Sequence, residues 1–404
     1  MNFPKLRFKE FNDEWRKYKV EEILKISNGI NKGKEFFGSG TPIINYMDVN
    51  KNELISHNIV KGLVIANSKE LETFNVKKGD ILFTRTSETS DEIGLSSSVI
   101  ENIDKCIFSG FILKGTQTKN FIHHYFGGYY FRNPKMRKEI IKHSSITTRA
   151  LTSGSLLAQM SISIPTIIEQ EKIGKTLSLL DKKIELQNKK IEDLKLFKKG
   201  LINVLNKKSY QETTLGKIGK FQTSSIDKLV KENEKIVSLY NYMDVYKHKI
   251  IMTQDLSKLS KTSAKDNQII TNNLKRGDIL FTPSSETPDD IGHSICIQEN
   301  LPNTVYSYHL LRYRPNIIID PLFSNYYFNN SKIRKQIIRY ATGATRYTVS
   351  LDSFLKIKVD IPDLITQKKY GLLLYSTDKK VNKEMFKLNK LRELKKGLMQ
   401  DMFV

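Results

Sequence analysis

The chain of 404 residues is basic, with 66 Lys and Arg against 43 Asp and Glu and a formal net charge of +23. A charge of this size favours a polyanionic partner, nucleic acid before a neutral protein surface, and the length allows about two to four domains with ample core. Only Cys106 and Cys296 occur, and neither belongs to a Cys-x-x-Cys or Cys/His cluster, which excludes a disulfide framework and a structural zinc and points to a reducing compartment. Residues 1–10 lack a signal-peptide core and no apolar run approaches the roughly 18 residues of a membrane span, so a cytoplasmic protein without membrane contact is expected.

Residues 1–14 are polar with scattered aromatics and are expected to pack on the first domain or on the helices described below. From Trp15, the pattern Val20, Ile23, Ile26 leads into a Gly and Lys loop, Ser27 to Lys34, and the second half restarts in the same way at Leu215, Ile218 and Phe221. Asn45-Tyr46-Met47-Asp48-Val49 then recurs letter for letter as Asn241 to Val245. The next block, Lys77-Lys78-Gly79-Asp80-Ile81-Leu82-Phe83-Thr84, returns as Lys275-Arg276-Gly277-Asp278-Ile279-Leu280-Phe281-Thr282. Gly-Asp before an apolar run reads as a turn entering a buried strand. Each strand delivers the chain into a polar loop, Arg85-Thr86-Ser87-Glu88-Thr89 or Pro283-Ser284-Ser285-Glu286-Thr287, a usual way to present recognition side chains.

Farther on, Tyr129-Tyr130-Phe131 with Arg137 to Ile141, and Tyr326-Tyr327-Phe328 with Arg334 to Ile338, read in each half as a basic amphipathic helix with Tyr and Ile turned to the core. Polar loops carrying Thr147, Thr148 and Arg149, or Thr345, Arg346 and Tyr347, precede strands that end at Ile164-Pro165 and Ile361-Pro362. The prolines close the globular parts.

A long helix follows each proline. Alternate steps of four and three from Ile173 reach Leu177, Leu180, Ile184, Gln187, Ile191, Leu194, Lys198, Leu201 and Leu205. This is a coiled-coil seam on one rod of roughly 60 Å. An offset of 197 gives a second seam, Tyr370, Leu374, Thr377, Val381, Glu384, Leu388, Leu391, Lys395, Leu398 and Met402. An apolar stripe that long needs a partner, and each helix supplies the other's. The expected fold is α+β: two similar α+β domains, 1–165 and 209–362, separated by two long antiparallel coiled-coil helices, 166–208 and 363–404, with an internal pseudo-twofold repeat.

Catalytic signatures are missing. There is no Walker loop, no Gly-x-Gly-x-x-Gly after a strand, no Gly-x-Ser-x-Gly elbow, no His-Glu-x-x-His and no Asn/Asp-Pro-Pro-aromatic segment. Gly38-Ser39-Gly40 and Gly127-Gly128 read as turns, and His123-His124 as packing. Pro362-Asp363 and Glu393-Leu394-Lys395 do not form a nuclease triad, because the latter residues lie on the long helix. DNA binding by two modules remains. Lys32, Lys34, Thr84, Arg85, Ser87, Thr147, Thr148 and Arg149 are the contact candidates of the first module. Ser284, Ser285, Thr345, Arg346 and Tyr347 are those of the second. Arginine suits guanine edges and phosphates alike. Because Pro283 stands opposite Arg85, the modules are expected to read different bases.

Glu169-Gln170-Glu171-Lys172-Ile173-Gly174 at the start of the first helix, Leu394-Lys395-Lys396-Gly397-Leu398-Met399 near the end of the second, and the domain-helix-domain-helix order resemble the specificity subunits of type I restriction-modification systems over essentially the full length. The second helix departs from this by opening with Thr366-Gln367-Lys368-Lys369-Tyr370. The resemblance implies a non-catalytic subunit whose two target-recognition domains read a bipartite, asymmetric site in double-stranded DNA. It implies two methyltransferase subunits, which use S-adenosylmethionine on adenine, and two restriction subunits driven by ATP and Mg. It implies no metal or cofactor in this chain. A stand-alone DNA-binding regulator or a basic coiled-coil scaffold would share the composition and the helices. A fragment ending near Lys208 is expected to pair with itself through the freed seam. Sedimentation showing a strict monomer would contradict the seam.

Overall fold

A computed structural model describes residues 3–146, 149–207 and 210–404. Helices Ile167–Lys207 and Leu364–Asp401 run without interruption, and contacts divide the chain into two units, 1–189 with 386–404, and 190–385. Each unit therefore contains a length of both helices.

In the first unit the central sheet has the strand order Leu24–Asn28, Ile112–Gln117, Ile81–Thr84, Ser96–Val99, Leu54–Ile55. Ile81, Leu82, Phe83 and Thr84 all have 0% exposure, which explains the unbroken apolar run. The period of two divides them between two cores. Ile81 and Phe83 join Trp15, Tyr129, Tyr130, Ile173 and Leu177 on the helix side, and Leu82 joins Ile44, Val49 and Phe108 on the other. The turn before the strand uses both of its signature residues. Gly79 takes φ +92, and the Asp80 carboxylate accepts the Lys77 N–H at 2.9 Å. A second sheet pairs Phe37–Ile44 with Gly62–Val64 and Ile107–Phe108. Arg16–Lys19 pairs with Ser161–Ile164, so the beginning of the domain closes against the strand that feeds the long helix.

The second unit repeats this plan. Ile279–Phe281 is an interior strand of the order Gly219–Thr223, Leu311–Pro315, Ile279–Phe281, Ser294–Cys296, and Glu212–Thr214 closes against Lys358–Asp360. Its turn is built alike, with Gly277 at φ +91 and Asp278 accepting Lys275 N–H at 2.8 Å.

The expected single amphipathic helix in each half is two helices. Gly127–Tyr130 and Pro134–Lys142 are separated because Asn133 caps the second, accepting from Lys135 and Met136 N–H, with Pro134 in its first turn. Gly127 and Gly128 are not turn residues but the buried start of the shorter helix, where a Cβ on Gly128 would lie 1.8 Å from the Glu53 carbonyl oxygen. Asn330 caps Ser331–Arg339 in the same way in the second unit.

The helix segments run antiparallel in both units. In the first, Ile173, Leu177 and Leu180 are buried, Met402 and Phe403 join their core, and Ile184 is half-buried. Leu388 is buried there, while Leu391 and Leu398 are half-buried. In the second, Ile191, Leu374 and Val381 are buried and Leu194 and Leu201 half-buried. Each fully buried Leu or Ile contributes about 2 kcal/mol, so the apolar positions supply most of the adhesion. Polar positions set the register. Lys395 reaches Asp181 at 2.6 Å and lies over the Tyr129 ring, whose hydroxyl donates to Asp181 at 2.7 Å. The duplicate set is Lys198, Asp378 and Tyr326, with Lys to Asp at 2.6 Å and Tyr to Asp at 2.9 Å. Buried Glu384 pairs with Lys190 at 3.2 Å.

Each long helix is also hooked to its domain by a buried glutamine. Gln170 accepts the His123 N–H and donates to the carbonyls of Phe121 and Pro165, each at 2.9 Å. Gln367 accepts Asp320 N–H and donates to the Pro362 carbonyl, both at 2.8 Å. The motif absent from the second helix thus keeps its structural residue. Asp363 caps that helix, accepting from Thr366 N–H at 2.9 Å. The other acid, Glu169, belongs to the first unit's N-terminal segment, which is firmly held: Arg7 pairs with Glu169 at 2.8 Å, Trp15 donates to it at 3.4 Å, and Leu6 N–H bonds the Asp401 carbonyl at 2.8 Å.

Gln170→Ala leaves three backbone groups without their partner, and should destabilise the first unit by about 3 kcal/mol. Fluorescence of Trp15, the one tryptophan in the sequence, should show this as a lower urea midpoint, with exposed Gln159→Ala unchanged.

Candidate nucleic-acid interface

The central strand of each unit ends at a buried threonine that fixes the loop beyond it. Thr84 donates to the Glu92 carbonyl at 2.8 Å and accepts Leu95 N–H at 2.9 Å, and Thr282 accepts His293 N–H at 2.9 Å. Thr84 is therefore not a surface contact: at 0% exposure its hydroxyl is consumed inside. Ser87 and Ser285 are largely buried in the turns, and Ser87 lines the cavity described below. Both are 5% exposed, and their hydroxyls accept the N–H of Thr89 and Thr287 within the turn.

These turns place two distant stretches side by side. Thr86–Ser87 pairs with Ala150–Leu151, and Ser284–Ser285 with Tyr347–Thr348. The pairing sets Arg149 beside the loop that begins at Arg85, and Arg346 beside the loop that begins at Pro283, with Thr152 N–H bonded to the Arg85 carbonyl at 3.0 Å and Val349 N–H to that of Pro283 at 2.9 Å. Arg149, Thr345 and Arg346 are exposed, and Tyr347 and Ser284 half-buried. Half-buried Arg85 donates to the Gly110 carbonyl at 3.5 Å. Thr147 and Thr148 lie outside the described residues. Lys34 is exposed, but Lys32 is held: its ammonium donates to the Ile65 carbonyl and pairs with Glu70, both at 2.7 Å, over the Phe36 ring. It braces the loop instead of projecting from it.

In the first unit the loops enclose a cavity of about 600 Å³ lined by Tyr46, Thr86, Glu88, Glu92, Phe111 and Arg149 among others. Phe111 is 60% exposed. The second unit gathers the equivalents. Tyr242 donates to the Ser284 carbonyl at 2.9 Å, and burial followed by Asp290 pushes its phenol up. His309 is pushed down by burial and then by nearby Arg346, which favours the neutral imidazole. Ser109 and Ser307 hold the two turns alike, accepting the N–H of Phe111 at 3.3 Å and of His309 at 3.4 Å.

Tyr46, Phe111, Tyr242 and His309 were not among the expected contacts, although the repeated pentapeptide carried a signal for the tyrosines. Its Asn and Asp form a capping box in each unit, and Val49 and Val245 are core residues at 0% exposure. Once these roles are subtracted, a tyrosine and an exposed methionine remain, and of these Tyr46 lines the cavity. Phe111 and His309 differ in type, so no repeat marked them.

Arginine, aromatic faces and hydroxyls around an open cleft can hold phosphates and meet base edges. Among the described residues no group of three or more His, Cys, Asp or Glu is disposed to hold a metal ion, and no helix is long and apolar enough to cross a membrane.

Comparison with known proteins agrees with this picture. Residues 12–196 match the family model of the type I restriction modification DNA specificity domain. The chain is 23% identical, over 98% of its length and 95% of the relative's, to a putative type I restriction enzyme MjaX specificity subunit of Methanocaldococcus jannaschii. Its fold is shared with the S subunit of a type I restriction-modification system from M. genitalium, at TM-score 0.58 and 16% identity over 100% of this chain and 99% of that one. It is shared also with a chain of a type I R-M system whose structure concerns complex assembly and conformational transition, at TM-score 0.52 and 12% identity over 96% and 97% of the two chains. The first half of the chain is therefore similar to the type I restriction modification DNA specificity domain, and its elements recur one by one in the second half.

Proposed function

We propose that the protein reads a bipartite, asymmetric DNA site, one half with each cleft. The observation that carries this reading is that one set of loops is built twice with different side chains, around a cavity in the first unit and with Tyr242, Asp290, His309 and Arg346 near one another in the second. The turn, the Ser-Glu-Thr loop, the capped tyrosine and the arginine recur, while Arg85, Glu92 and Phe111 give way to Pro283, Asp290 and His309. A shared frame suits a shared duplex geometry, and unlike side chains suit unlike base edges.

The domains 1–165 and 209–362 act as target-recognition domains, and the length of the helices 166–208 and 363–404 governs that of a nonspecific spacer. In the cytoplasm the chain joins two methyltransferase subunits, which carry S-adenosylmethionine for adenine methylation, and two restriction subunits, which use ATP and Mg. The family supports a DNA-binding role within a multi-subunit complex, and these stoichiometries and cofactors are the finer reading we attach to it.

Two outcomes test the reading in the assembled complex. Arg149→Ala should weaken or relax one half of the methylated motif, and Arg346→Ala the other half. An arginine contact to guanine is worth about 1–3 kcal/mol of discrimination. Equal effects of each substitution on both halves would contradict separate reading. Insertion of four residues, one helical turn or roughly 6 Å, into either long helix should lengthen the tolerated spacer by about one or two base pairs. An unchanged spacer in host DNA, read by methylation sequencing, would count against the helices as its determinant.

A further inference from the structure

The twin clefts treat one carboxylate in opposite ways. In the second unit Asp290 is engaged locally. Its Oδ1 lies 2.9 Å from His293 Nε2 and the Tyr246 hydroxyl bonds it, while Arg334, docked on the Asp289 carbonyl, has its counterpart in Arg137 on the Asp91 carbonyl and does not distinguish the units. In the first unit Glu92 ends the equivalent short turn, Ser90–Glu92 against Pro288–Asp290. Leu95 stands there in place of His293, and Asn50 in place of Tyr246. Exposed Glu92 has the Tyr46 hydroxyl at 3.5 Å, too long to satisfy a carboxylate, and it faces the cavity that Phe111 and Arg149 also line.

A carboxylate on a surface that meets phosphates repels DNA unless a donor on the duplex compensates it. In the major groove those donors are the exocyclic amino groups, N4 of cytosine and N6 of adenine. Solvation alone is satisfied equally well by a position outside the cleft, whereas this acid lines the same cavity as the arginine. We propose that Glu92 is a specificity-determining residue of the first cleft, accepting a hydrogen bond from an amino-bearing base in the half-site that Arg149 contacts. This deepens the reading above and rests on it. The second cleft, whose acid is already committed to His293, selects its half-site without a carboxylate at this place. A guanine or thymine at the contacted position presents an oxygen to Glu92 and is rejected by repulsion between acceptors.

The test uses the full chain assembled with its methyltransferase partner, carrying Glu92→Gln, Glu92→Ala or, as a control on the outer helix, Glu139→Gln. Methylation sequencing of host DNA reads the motif, and competition binding of the complex to duplexes that differ at one base pair gives the size of the effect. Both Glu92 variants are expected to relax one position in one half of the motif, with preference for the amino-bearing base falling about tenfold or more, and to leave the other half intact. Glu139→Gln keeps the full motif. Glu92→Gln, equal in size to the native residue, carries the test if the alanine variant fails to assemble. Glu92 variants that retain the native preference at every position overturn the proposal. A wild-type complex without a two-part motif would remove the reading beneath it, so the two failures are distinguishable.

Discussion

The structure depends on how each long helix is locked to its partner and its domain by a tyrosine, an aspartate and a lysine. Apolar seam residues provide adhesion, but leucines spaced by sevens tolerate a slip of one repeat. The polar set does not. Burial and then Glu53 raise the pKa of Asp181, so its charge is stable only with Lys395 against it and the Tyr129 hydroxyl donating to it. A slipped pair would leave that carboxylate without its cation, at a cost that breaking a buried ion pair commonly sets at about 3–5 kcal/mol, less here because the groups are partly exposed. Lys198, Asp378 and Tyr326 make the same contacts in the second unit. The glutamines then fix where each helix leaves its domain.

Because those locks are duplicated, the frame around each cleft is duplicated as well, and variation is confined to the side chains that the frame presents. The buried threonine at the strand end, accepting an N–H from Leu95 or His293, the serine in the following turn and the capping box that precedes the tyrosine recur in both units. None of these residues need change when a recognition wall does. Phe111 and His309 illustrate the freedom: one backbone turn, held by the same serine contact, offers an apolar face in one unit and a ring nitrogen in the other.

Much of the frame was legible in the sequence. A period near 3.5 without proline marks a long helix wherever it occurs, and the offset of 197 located its twin. The Gly-Asp turn and the buried strand were legible because φ beyond +90 and an unbroken apolar run each demand particular residues. The cleft was harder to read. Thr84, Ser87 and Ser285 looked like contacts because hydroxyl residues in a polar loop have the same appearance whether they face solvent or fasten the turn. Only the fold shows that the Thr84 hydroxyl is spent and that the two serines fasten their turns. Lys32 misled for a similar reason, since its partners Ile65 and Glu70 lie more than thirty residues away. The single-helix reading overlooked Asn133-Pro134, a cap that sequence can reveal, whereas the juxtaposition of residues 85–89 with 149–151 depends on long-range pairing that no local pattern encodes.

The central claim is that one chain carries two unlike readers. It is tested most directly by sequencing the methylated bases in DNA from cells that express the intact complex. Two different specific blocks separated by unspecified bases are the predicted result. A single continuous block, or two halves identical by symmetry, would contradict it.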